Sequence, residues 1–202
     1  MKQIITKKIA QELKELKGEI RGVILKADIQ FIIDEKGKEG IKRVEKEMAS
    51  LDFPFEYEKI KSMHFYPIGL RVVSLLVIKK VLGFSDKKIQ EMGFDLPRSL
   101  PLVRMYTRFF AMDKKTFFNN AVKFWKRIVM VGEFETSLDE KNKQAISTLK
   151  NFDIHPILCI YLLGVIPSFH KMATGAREVI GKETKCSFKG DELHEFLVKH
   201  KY

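Results

Sequence analysis

Cysteine is scarce in this 202-residue chain, with two residues in all, which excludes a disulfide framework and suits a reducing, cytoplasmic address. No N-terminal stretch has the uninterrupted apolar centre of a signal peptide, and no run reaches the roughly eighteen apolar residues of a membrane span. Histidine is missing between His64 and His155. The chain has no G-x-G-x-x-G, no P-loop Gly-Lys-Ser/Thr and no Gly-x-Ser-x-Gly elbow, so the common cofactor and nucleophile signatures are absent. Acidic side chains are few in one place: residues 59–127 carry 15 basic and 4 acidic, against 12 and 9 in residues 1–50 and 10 of each from 128 onward. The formal charge of +11 therefore sits on the middle segment, which presents a positive face to solvent, an acidic partner or a membrane surface. No recognition-helix or base-stacking motif accompanies it, so a nucleic-acid role is not expected.

What is present is ample apolar content, 45% of residues, enough for a core in one domain over 1–202. Ile4, Ile5, Ile9, Leu13 and Leu16 recur at helical spacing up to Gly18, and Val23, Leu25, Ile29, Ile32 and Ile33 mark a second helix, from about Glu19 to Asp34, that Gly37 ends. A third follows through Ile41, Val44 and Met48. Tyr66 to Leu82 reads as a buried central helix. Ser85 caps the next, which Gly93 closes. Leu100 to Val131 supplies two helices, the second over Phe117 to Val131.

The pattern then changes. Glu133 to Leu138 alternates with period two, Asp139 to Asn142 is a polar turn, and Gln144 to Phe152 returns as a strand. A buried helix from Pro156 follows, too short to cross a bilayer. Lys185–Phe188 and Leu193–Val198 then read as a hairpin that sets Cys186 opposite His194. The expected class is α+β: a helical half over 1–96, then over 97–202 helices packed on a four-stranded antiparallel sheet, with hairpins near 133–152 and 183–199.

Cys159-x4-Gly164, the E-x-x-C of Glu183 to Cys186, and G-D-x-x-His194-x-Phe196 together resemble the end of the 4-vinyl-reductase-type domain, a family that shares its fold with H-NOX domains and TRAPP tethering subunits. The family usually has a third cysteine where this chain has His194, and in its phenol-responsive members those cysteines and a glutamate hold zinc. The resemblance thus implies a zinc site of Cys159, Cys186 and His194, with Glu183 or His155 as fourth ligand. Glu183 has the wrong strand parity for this and needs a bulge before Cys186.

The first half is similar to the helical half of H-NOX domains, through Lys17-Gly18-x3-Gly22, Phe31, Phe65-Tyr66-Pro67 and Leu82-Gly83-x-Ser85-x3-Ile89-x3-Gly93. That resemblance implies a haem gas sensor, but two of its marks are missing. The helix before the sheet has no histidine, and the family's Tyr-x-Ser-x-Arg clamp falls on Phe152, Ile154 and Pro156. Conventional haem is therefore not expected, leaving His64 or Tyr106 as the other axial candidates.

Relatives bind haem, aromatic effectors or acyl chains between helices and sheet, which implies a pocket here for an apolar small molecule. Its candidate lining is Tyr106, Phe109, Phe110, Phe117, Phe124, Trp125, Ile128 and Tyr161, an aromatic surface larger than one helix stripe needs. Asp191 and Glu192 read as solvated turn residues, and no catalytic group is expected. The sequence thus points to a non-enzymatic sensory module signalling through a homodimer or a protein partner. An atypical haem or tetrapyrrole binder and a ligand-free adaptor of the TRAPP type stay open beside it.

Overall fold

The structure is a computed structural model that describes residues 5–99 and 114–202. Its order is α1 (Lys7–Lys14), β1 (Glu19–Arg21), α2 (Gly22–Ser50), β2 (Phe65–Pro67), α3 (Ile68–Leu82), α4 (Asp86–Ser99), α5 (Lys114–Ile128), β3 (Glu133–Asp139), β4 (Gln144–Lys150), α6 (Pro156–Thr174), β5 (Glu178–Lys185) and β6 (His194–Lys201). The α+β expectation holds, with helices first and an antiparallel sheet in the order β3-β4-β6-β5.

Local chemistry sets the boundaries. Thr6 Oγ1 accepts from the Ile9 N–H at 3.3 Å, and Ser85 Oγ from that of Lys88 at 3.2 Å, so both helices start on hydroxyl caps. α3 is apolar all round and 12 of its 15 residues are buried, as a helix at the centre of a core must be. In β4 and β6 burial alternates, and Ala145, Ser147 and Leu149 pair with Val198, Phe196 and His194 on the face covered by α6.

Gly37, whose φ of 67° is non-helical, does interrupt α2, which runs as two helical segments across that break. Several boundaries differ from the sequence reading. Residues 19–21, read as the start of a helix, form a short strand paired with Phe65–Pro67. The last hairpin begins earlier, because β5 ends at Lys185, after which Ser187–Lys189 is a 3₁₀ turn. α6 continues through Pro167 to Thr174 and, at 19 residues, is long and apolar enough to cross a bilayer, correcting the expectation from its shorter apolar run. Inside this fold 72% of that stretch is buried against other elements.

Gly93 is not a helix stop. It lies inside α4 against the Tyr161 carbonyl, while Gly164 of α6 lies against the Gln90 carbonyl and the Phe94 N–H, so the two backbones touch where the helices cross. A Cβ on either glycine would overlap main-chain atoms that move only if the helices part. Gly164→Ala is expected to cost about 1–3 kcal/mol, read as a lowered urea midpoint.

Candidate ligand cavity and metal cluster

Where the helices meet the sheet the packing leaves a cavity of about 320 Å³, walled by α3, α5, α6 and β3. Phe117, Phe124, Trp125, Ile128 and Tyr161 all line it. Tyr106, Phe109 and Phe110 lie outside the described residues. The indole of Trp125 stacks on Phe134 at 5.2 Å between centroids and donates its N–H to the Val131 carbonyl at 3.2 Å, which fixes that wall. Phe152 meets Trp125 edge-on at 5.8 Å.

Two polar groups in the lining, Arg71 and His170, and the aspartate behind the first of them escaped the sequence reading. Arg71 is 3% exposed and pairs with Asp28, itself 1% exposed, at 2.5 Å. Its guanidinium lies 4.3 Å from the centroid of the Tyr161 ring, and the Tyr161 hydroxyl donates to Asp28 at 3.0 Å. His170 Nε2 is 3.1 Å from Ser147 Oγ, which is 2.9 Å from Thr136 Oγ1. Its Nδ1 is buried without a partner. Burial, then the neighbouring His200, pushes the His170 imidazole down to about 3, so it is neutral across the physiological range. A lone charge inside an apolar run was the signal available for Arg71, while Asp28 and His170 have Lys26 and Lys171 close by and carried no such signal.

Behind the Phe152 wall, on another face of α6, Cys159, Glu183, Cys186 and His194 each offer one donor atom, all within 4.8 Å of one another. Cys159 Sγ is 3.6 Å and Glu183 Oε1 3.3 Å from His194 Nδ1. Glu183 reaches the group because the register of β5 against β6 shifts between Glu183 and Lys185, the bulge that its strand parity required. His155 is not part of the group: its Nδ1 accepts from the Ile157 N–H at 3.1 Å, capping α6, and burial holds its pKa down.

The histidine is oriented from outside the cluster. Ser187 Oγ lies 2.8 Å from His194 Nε2, which leaves Nδ1 facing both thiols and the carboxylate. A ligating imidazole is typically held this way, by a partner on its other nitrogen. Burial raises the thiols of Cys159 and Cys186, and the Glu183 carboxylate adds to it, so both are protonated at neutral pH when nothing is bound. Two thiols, an imidazole and a carboxylate at this spacing suit zinc.

No protein-family model matches the chain, and no curated protein matches it. Its fold is similar to that of an H-NOX protein from S. oneidensis in the Fe(II)NO ligation state, at 10% identity and a TM-score of 0.68 over 91% of this chain and 100% of that one. An H-NOX protein mutant from K. algicida, in the unliganded Fe(II) state, matches at 14% identity and 0.63 over 91% and 97%. At such identities the likeness shows the fold: the chain has an H-NOX-like fold.

Among the described residues α5 carries no histidine, cysteine, tyrosine or methionine that could bind iron. His64 is exposed ahead of β2 and does not line the cavity. Of the described lining residues, Tyr161 and His170 could bind iron, but the tyrosine is committed to Asp28 and the histidine Nε2 to Ser147.

Proposed function

We propose that this chain is a non-enzymatic, cytoplasmic sensory module that encloses an apolar small molecule between helices and sheet and reports its presence through a second copy or a protein partner. The observation that carries this reading is the aromatic cavity between α5, α6 and β3, with Trp125 and Phe152 in its wall. The H-NOX names of its structural neighbours support a sensory role for the fold.

Cys159, Cys186, His194 and Glu183 hold zinc in this proposal, and the spacing they share with the 4-vinyl-reductase-type domain supports it. The metal would supply a closed structural site that ties α6 to the β5–β6 turn. Ser187→Ala is expected to lower zinc affinity roughly 10–100-fold by releasing the imidazole, seen in competition with a chromophoric chelator. An unchanged affinity would remove Ser187 from that role.

Native mass spectrometry of untagged protein, with Nile red binding alongside, tests the whole reading. The expected result is one zinc per chain and dye uptake that Ala121→Phe abolishes by filling the cavity. Dye uptake indifferent to Ala121→Phe, or none, overturns the pocket. The haem reading is tested by titration: a Soret band that is lost on replacing His170 would replace the proposal with an atypically ligated haem.

A further inference from the structure

The cavity is apolar, but its charge is one-sided. Among the described residues that line it there is no aspartate or glutamate, while Arg71, Lys123 and Arg127 are all present. α5 as a whole carries five basic residues and no acidic one. On that helix Phe117, Ala121, Phe124 and Ile128 form the stripe facing inward, and Asn120, Lys123 and Arg127, at i, i+3 and i+7, form the stripe beside it. Lys123 and Arg127 line the cavity yet are exposed, so their stems lie against it while their charged ends reach the surface.

The interior offers no comparable place for a charge. Arg71 is already neutralised by Asp28, and His170 is uncharged. An ion buried that deep without a partner would be strongly disfavoured. An apolar interior with two exposed cations along its α5 wall matches a molecule with an anionic head and a single apolar tail. From these features, and resting on the cavity reading above, we infer that the ligand is a single-chain anionic amphiphile, its head held by Lys123 and Arg127 and its tail lying along the Phe117–Ile128 face.

Displacement of Nile red by dodecanoate, dodecyl phosphate and methyl dodecanoate, each below its micelle concentration, provides the test. Dodecanoate is expected to bind about tenfold or more tighter than its ester, the scale of a charge-assisted contact. That preference shrinks with added salt and collapses toward parity in Lys123→Gln/Arg127→Gln, but not in Lys126→Gln, which is exposed on α5 and does not line the cavity. Dodecyl phosphate equal to or tighter than dodecanoate fits the same inference and points to a phosphate-headed lipid. Equal binding of acid and ester, or a preference that survives the double variant, overturns the anionic head while leaving the pocket. Failure of the dye and of all three compounds overturns both.

Discussion

Asp28→Ala is expected to destabilise the protein by about 3–5 kcal/mol, the cost of leaving a buried charge without its partner. Arg71 is 3% exposed, so removing the carboxylate leaves its guanidinium charged and largely desolvated. The pair also joins three helices: Asp28 belongs to α2, Arg71 to α3, and Tyr161 of α6 donates to the same carboxylate at 3.0 Å. The loss should appear as a lower urea midpoint at unchanged slope. Asp28→Val/Arg71→Met, which removes both charges and comes nearer to keeping the volume, should recover most of it, since a buried pair and its apolar replacement often come out nearly even. A loss below about 1 kcal/mol in Asp28→Ala would show that water reaches Arg71. Because Arg71 lines the cavity, the single variant should also weaken uptake of a neutral dye.

The same pair shows what the sequence hid. Period-two alternation in Glu133–Leu138 and the polar turn after it gave the β3–β4 hairpin to within two residues. Cys186 and His194 were expected near each other from the hairpin reading, and Cys159 joined them only through the resemblance to the 4-vinyl-reductase-type domain; the structure brings the three within 4.8 Å. Glu183 needed a register shift, a property of the backbone that side-chain order does not encode. β1 was invisible for a related reason: three residues carry no period, and their partner, Phe65–Pro67, lies beyond the whole of α2. Gly93 was misread because a glycine that stops a helix and one that admits another helix look the same in a chain. Only the contact with Tyr161 tells them apart.

The cavity and the metal cluster share a wall. Phe152 lines the cavity, lies edge-on to Trp125 at 5.8 Å, and sits 6.4 Å from the His194 ring on its other side. Tyr161 and Cys159, two residues apart on α6, likewise serve the cavity and the cluster. Phe152 thus touches the Trp125 indole on the cavity side and the His194 imidazole on the cluster side.

Zinc affinity is expected to fall by about 100-fold as pH drops from about 7.5 to 6.5, because binding must displace one proton from each of two thiols. The sign follows from burial, which raises Cys159 above its ordinary value, with the Glu183 carboxylate adding to it, and raises Cys186 as well. The same shifts govern the metal-free protein in the opposite direction. A thiol whose folded pKa lies above its unfolded value stabilises the fold fully below the unfolded value, near 8.5, and loses that contribution as pH rises toward the folded one. Metal-free protein should thus become less stable above about pH 8.5, where zinc-loaded protein gains. Chelator competition at both acidities gives the proton count from the slope. A slope of one proton would show that one of the thiols is not a ligand, and a flat profile would remove both from the site.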